Sequence, residues 1–427
     1  MNYFLCFVAF VLGLVIIVKQ DSIRFLLFVI GLTFLPFGAK ITPSIHAARI
    51  LIYASWISIL VHRKDLSTLK VIPFLKLFVL LFIAHLLTGI VDSRVGPVVG
   101  ILKAINTFSE TFGCLIIGYV FANKRRDLLH LDTVIRCLAY VISFYSIFSL
   151  FIGVDLFCNF LGGSDSLRDE RMRVAGFFFD SHVAGMAISV YLLLLLFEDY
   201  CKHKKVYMDF CVLLLVVALL LTKSRSSLLD FCFGIFIMYF LLFLRSRSNS
   251  KYCSFLLYGF IFSIVAISAG DMIFSQFFDA FKEDGGNTGG STIALRLQQL
   301  IYSWYLFLES PWFGNGFQYF WEVINSENGY LSSMLMGAEG YVFVLLIERG
   351  IIQILLIVYF FYQLFKFLIK NKRKYSILAI AILSAFLLNS IVTGNLYKWP
   401  FALPFVGFYM RLITKRGNNV LRRYTFI

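Results

Sequence analysis

The sequence predicts an all-α fold: a polytopic integral membrane protein of about 12–13 transmembrane helices with one large outer-face loop that contains short helices. Three observations carry this. Of the 427 residues, 60% are hydrophobic and 15% charged, whereas a soluble domain carries roughly 25% charged residues. The apolar residues come in long runs, such as 71–91 and 252–269, close to the roughly 20 residues needed to span a bilayer. Finally, basic clusters follow alternate runs. The runs are continuous, not alternating, so the backbone groups that lipid cannot hydrate are satisfied within helices and not in a barrel.

In order, the runs fall at 3–18, 23–38, 47–61, 71–91, 102–122, 134–157, 183–198, 206–222, 228–244, 252–269, 341–369, 376–393 and 399–413. The first lacks a basic start and a small-residue cleavage site, so it reads as a span and not as a removable signal. Basic clusters lie at His62-Arg63-Lys64, Lys124-Arg125-Arg126, Lys202-His203-Lys204-Lys205, 245–251, 370–374 and 415–423. All fall on one face if the spans are counted this way, which marks that face as cytoplasmic and places the N-terminus outside. The formal charge of +15 therefore reports orientation and not a nucleic-acid partner. The eight cysteines are scattered, with no CxxC pair or Cys/His metal spacing, so neither a disulfide framework nor a zinc site is expected.

The opposite face holds residues 92–100, 158–182, 223–227, 270–339 and 393–398. The fourth is by far the longest, and long loops in compact proteins commonly carry function. After Gly285-Gly286-Asn287-Thr288-Gly289-Gly290, Ser291 or Thr292 can cap a helix in which Leu297, Leu300, Ile301, Trp304 and Leu308 recur at helical spacing before Pro311 stops it. Trp304, Tyr305, Trp312, Phe313, Phe317, Tyr319, Phe320 and Trp321 crowd the same loop, as suits the headgroup layer. The segment reads as a lid-like helix on the outer membrane surface. The Gly-rich stretch is no P-loop, because the Lys-Ser/Thr ending is absent. No internal repeat is seen, and the chain reads as one membrane domain over 1–427.

Outer-face Arg and Lys run against the insertion bias. Arg168, Arg171, Arg173, Lys223, Arg225 and Arg296 do so here. Guanidinium groups make planar, bidentate contacts to phosphate oxygens, so arginines converging at headgroup depth suit a lipid-linked pyrophosphate. Glu339 stands where the long loop runs back into an apolar helix; it fits a general base and equally a helix N-terminal carboxylate favoured by the macrodipole. His85, Lys103, Glu110 and Asp230 are ionisable residues within spans. Glu110 is a candidate for substrate binding or for pairing with an arginine of another helix. Glu348 and Arg349 read as an internal ion pair, and His182 as a polar residue of the site.

These elements resemble the O-antigen polymerase and O-antigen ligase superfamily. Residues 173–185, Arg-Val-Ala-Gly-Phe-Phe-Phe-Asp-Ser-His-Val-Ala-Gly, are similar to its Arg-x-x-Gly-x-Phe segment, with Ser181-His182 where a Pro-Asn pair often follows. Leu221-Thr222-Lys223-Ser224-Arg225-Ser226-Ser227 resembles its Thr-x-Ser-Arg element. Arg296, Trp304 and Pro311-Trp312-Phe313-Gly314-Asn315-Gly316-Phe317 resemble its large-loop pattern, and 338–351 its returning helix. The likeness covers roughly residues 165–365.

The resemblance implies a metal-independent, cofactor-free glycosyltransferase of the bacterial inner membrane, with residues 158–182 and 270–339 as its periplasmic loops. Donor and acceptor would be undecaprenyl-pyrophosphate-linked glycans; a chain-length regulator is a partner by analogy. Arg173, Arg225 and Arg296 would hold the phosphates and Glu339 the attacking hydroxyl, with Arg171, His182 and Glu110 binding substrate. Ligases usually carry a His where Glu339 falls, which favours polymerase over ligase. The further alternatives are a flippase for the same lipid-linked sugar, which would want charges in a central cavity, and a structural scaffold, which leaves the aromatic loop and outward arginines without a reason.

Overall fold

The computed structural model describes residues 2–19, 23–35, 37–42, 45–92, 94–122, 126–160, 173–201, 209–245, 293–320, 341–371, 373–392 and 398–414. The chain is all-α and polytopic, with almost no sheet. Its helices are α1 (Asn2–Val18), α2 (Ile23–Phe34), α3 (Ala47–Val61), α4 (Arg63–Leu69), α5 (Leu75–Val91), α6 (Gly96–Glu110), α7 (Phe112–Phe121), α8 (Arg126–Ile152), α9 (Leu156–Phe160), α10 (Ser181–Cys201), α11 (Phe210–Leu221), α12 (Arg225–Arg245), α13 (Ile293–Glu309), α14 (Tyr341–Lys370), α15 (Lys374–Val392) and α16 (Trp399–Thr414). Between α2 and α3, β1 (Lys40–Thr42) and β2 (Ile45–His46) pair antiparallel, with Lys40 opposite His46.

Among the described residues, five helices are long and apolar enough to cross a membrane, and a bent pair makes a sixth. Five shorter apolar helices, α1, α2, α3, α5 and α11, coincide with predicted runs. The run at 252–269 lies outside the described residues. Two predicted spans depart from a simple rod. The run 102–122 is the α6–α7 pair, bent by 48° at Thr111, and α14 is broken at Gly350, whose φ of 67° and ψ of 171° are non-helical. Periodicity shows an apolar run but not a break in it.

Local chemistry starts several helices. Asp180 Oδ1 accepts the N–H groups of His182 (2.6 Å) and Val183 (3.0 Å) at the head of α10. His46 Nδ1 accepts from Arg49 N (3.2 Å) at the head of α3, and Asp209 from Cys211 N (3.0 Å) at that of α11. Such caps satisfy N–H groups that the first turn leaves open.

Lipid tails give helices no hydrophobic reason to associate, so close packing through small residues does the work. Helix α7 crosses α16 this way: a Cβ on Gly118 would strike the Pro404 backbone, and one on Gly407 the Leu115 backbone. Helix α10, apolar all round, is buried on nearly every side. By contrast Phe4, Phe7, Phe144, Phe148, Phe151, Leu355 and Val358 point outward, as lipid-facing residues do.

The predicted loop helix forms as α13, packed along α14. Its Leu297, Leu300, Ile301, Trp304 and Leu308 stripe is exposed, whereas Gln299, Ser303, Leu306 and Phe307 are buried. So wide an exposed apolar stripe suits a face offered to a bilayer surface.

Candidate functional site

The first motif segment is held in place by one buried carboxylate. Asp155, in the turn after α8, accepts from Ala175 N (2.9 Å), Gly176 N (2.7 Å), Cys158 N (3.2 Å) and the Tyr145 hydroxyl (2.7 Å). Arg173 leads directly into this clamp and is half-buried. A carboxylate taking several N–H bonds is a strong, charge-assisted anchor.

The same segment is sewn to the second motif. Val174 N donates to Leu221 O (3.2 Å) at the end of α11. His182 Nδ1 lies 3.1 Å from Ser224 Oγ, and Ser227 Oγ donates to His182 O (3.4 Å). Ser224 and Ser227 also share a hydrogen bond of 2.8 Å. The sharp turn between α11 and α12 uses Lys223 at φ 50°, placing Ser224 and Arg225 at the head of α12. The stretches around Arg173 and Arg225, 52 positions apart by number (225 less 173), thus meet at one end of the bundle.

Glu110 is joined to this junction only indirectly and is already engaged. Its carboxylate pairs with Arg49 and lies 3.3 Å from His46 Nε2, at the bend between α6 and α7. Because His46 Nδ1 accepts from Arg49 N, the ring proton belongs on Nε2, facing Glu110. Burial holds the His46 imidazole below its ordinary range despite the attraction of Glu110. Tyr53 and Asn106 extend the cluster through a hydrogen bond. Phe37 touches the His46 ring (4.8 Å), Phe34 touches Phe177 (5.0 Å), and Gly38 packs on Phe179. Phe34, Phe37, Gly38 and His46 therefore link the Glu110 cluster to the Arg173 segment. Of the two roles open to Glu110, pairing with an arginine of another helix is the one seen.

Residues 310–320 form a latch in the break of α14. Asn315 N and Nδ2 both donate to Ile347 O (3.0 and 3.2 Å), and Nδ2 also to Leu306 O (2.7 Å). Pro311 O accepts from Ile351 N (2.8 Å) and Trp312 O from Ile352 N (3.4 Å). The inserted loop thereby satisfies groups that breaking the helix set free. Gly314 and Gly350 face each other so closely that a Cβ on either would meet backbone, and both have positive φ. The expected Glu348–Arg349 ion pair is not formed: among the described residues no ion pair joins them. Glu348 Oε1 instead accepts from Phe320 N (3.3 Å), and the Arg349 guanidinium lies over the Phe317 ring, 4.2 Å from its centroid. Consecutive helical residues point in different directions.

Arg296 stands near the start of α13 and Arg225 at the head of α12; their side chains, with Arg171 and Glu339, lie outside the described residues, as do Arg168 and the Gly-rich stretch. The structure thus brings the Arg173, His182 and Arg225 segments together and joins Glu110 to them only indirectly. Sequence reasoning missed Asp155, Asn315, Arg49 and Arg94. Arg94 carried the signal already used for Arg173, a cation at the predicted outer face, and Arg49 the one used for Glu110, an ionisable residue within a predicted span. Arg94 is paired with Asp92 (2.8 Å), bonds Asn315 O (3.0 Å) and stacks on Tyr319 at 4.6 Å. Asp155 gave no local sign, and Asn315 stood in the quoted large-loop motif without a role assigned to it. Asp230, on α12 five positions past Arg225 (230 less 225), bonds Asn389 and feels the buried Lys398.

A multi-span α-helical bundle with a basic, polar cap at one end defines the class: a polytopic membrane protein with polar segments joined at one end of the bundle. Residues 210–358 match a family model described as O-antigen ligase. The matched segment contains the Arg225 turn, α13, the latch and the break in α14, and it supports the O-antigen ligase and polymerase superfamily for this chain. No curated protein matches the chain.

Proposed function

We propose that the chain is a membrane glycosyltransferase that polymerises undecaprenyl-pyrophosphate-linked repeat units into O-antigen polysaccharide at the periplasmic face of the inner membrane. The observation that carries this reading is the hydrogen-bonded junction of the Arg173 segment with the Leu221–Ser227 turn, made by two separate stretches that each bear an outer-face arginine.

The chemistry needs few parts. A pyrophosphate ester leaves readily once its developing charge is stabilised, and guanidinium groups held beside it supply that term without a metal. Arg173, Arg225 and Arg296 take this role. The attacking sugar hydroxyl needs alignment and a proton acceptor, the role given to Glu339. Arg171 and His182 bind substrate. Glu110 acts at one remove, by holding Arg49 and His46 at the wall of the site. No His follows His203 in the sequence, so the re-entry segment of the sequence has Glu339 where a ligase of this superfamily usually has His; this favours polymerase over ligase.

A strain lacking the chain discriminates the two. Loss of a polymerase leaves lipid A–core carrying a single repeat unit, whereas loss of a ligase leaves bare core. Purified protein extending lipid-linked repeats in detergent would separate an enzyme from a flippase. Retained long chains in all of Arg173→Ala, Arg225→Ala and Arg296→Ala would reject the phosphate roles.

A further inference from the structure

Arg349 is 1% exposed, and none of its three guanidinium nitrogens has a hydrogen-bond partner among the described residues. One face is covered by the Phe317 ring at 4.2 Å. That ring stacks on His85 (5.8 Å between centroids, 26° between planes), and His85 is bonded to Gln353. The neighbouring carboxylate, Glu348, is occupied by the backbone of the latch. Cation–π contact offsets part of the cost of a buried charge, but leaves the N–H groups unsatisfied, and that desolvation cost is large. A cation held so, at the break of a membrane helix and beside a loop built into that break, is arranged for an acceptor that comes and goes.

We propose that Arg349 is an oxyanion receptor, its N–H edge taking a phosphate of a lipid-linked diphosphate in the bidentate mode of guanidinium groups. Low dielectric around the group strengthens that bond relative to an exposed arginine. The identity of the anion's carrier rests on the proposed function; the presence of the receptor does not. Phe317 covers one face of the guanidinium, and Lys103, bonded to Phe317 O at 3.4 Å, anchors the ring's backbone.

The test uses the purified full chain in detergent, with inorganic pyrophosphate and farnesyl diphosphate as probes and glucuronate as the carboxylate control. Arg349→Met should weaken diphosphate binding at least about tenfold, equivalent to about 1.4 kcal/mol. The melting temperature without ligand should hold or rise, because an unpaired buried charge has been replaced by an apolar side chain of similar length. Arg349→Lys should keep part of the binding. Unchanged binding in Arg349→Met overturns the proposal. So does a fall in the ligand-free melting temperature, with or without weaker binding, since the chain itself would then supply the acceptor. Glucuronate binding in place of diphosphate moves the site to a sugar carboxylate, and pyrophosphate binding without farnesyl diphosphate removes the lipid carrier; either overturns the assignment. Arg349-dependent diphosphate binding by a protein that never extends lipid-linked repeats leaves the receptor standing and sinks the polymerase reading; extension with binding indifferent to Arg349 does the reverse.

Discussion

Asn315 holds the carbonyl of Ile347 twice, through its backbone N–H at 3.0 Å and its side-chain Nδ2 at 3.2 Å. Ile347 sits just before the break in α14, and Asn315 at the centre of the latch that fills it. The large loop is therefore fastened to the returning helix by backbone chemistry and not by packing alone.

Removing the latch should release the loop. Asn315→Ala takes the Nδ2 donor from Ile347 O and Leu306 O and is expected to cost about 1–3 kcal/mol. Gly350→Ala should cost more, because a Cβ there meets the Gly314 and Phe313 backbone at a φ of 67°. Thermal melts in detergent would rank them. Gly350→Ala melting with the wild type would mean that the break is not held as described.

Asp155 should behave like a residue of the site although it faces away from solvent. Asp155→Ala strips four donors of their acceptor, a loss on the order of 3 kcal/mol, and frees the Arg173 segment. The expected phenotype is a lipopolysaccharide ladder shortened as in Arg173→Ala, with Tyr145→Phe much milder. Full-length ladders from Asp155→Ala would separate the clamp from the activity.

Glu110 and Arg49 should be energetically coupled. Truncating either alone leaves a mostly buried charge without its partner, a cost of about 3–5 kcal/mol; the Arg49→Met/Glu110→Met double variant should recover much of it. A double-mutant cycle measures the coupling, and additive losses would show that the pair is not an interacting unit.

At the opposite end, Arg136 binds Asp132 (3.2 Å), Asp199 (2.5 Å) and Asp209, tying α8, α10 and the head of α11. Arg136→Ala should destabilise on the order of 3 kcal/mol. Burial pushes the Asp209 carboxyl up, but a hydrogen bond from Asp199, whose own carboxyl burial raises to about 6 so that it holds the proton in acid, and the Arg136 guanidinium outweigh it and hold Asp209 below its ordinary value. An acid held lower in the folded state stabilises above its unfolded pKa, about 3.9, and loses that contribution as pH falls through the folded value. Acid titration of stability should therefore show a loss below about pH 4 that Asp209→Asn diminishes. An unchanged acid limb would remove Asp209 from this role.

The class of the protein and nearly all of its described helices were legible in the sequence, and the face of each loop was an expectation drawn from it. Each depends on residues close together in the chain: a run of apolar side chains is self-sufficient evidence for a helix in lipid, and the charge bias of a short loop reports its side. Even α13 was readable, because its stripe recurs every three or four residues, although the direction in which the stripe faces was not.

Partnership was decided only by the tertiary structure. Glu110 meets Arg49 across 61 positions, Asp155 meets Gly176 across 21 and Asn315 meets Ile347 across 32, and no local pattern marks those matches. They follow from how each helix is rotated and where it is broken, which depends on close crossings such as Gly118 on Pro404 and on loops that take up the backbone groups of a break. Hydropathy tells a residue which solvent it belongs in; only packing tells it which neighbour it will have there.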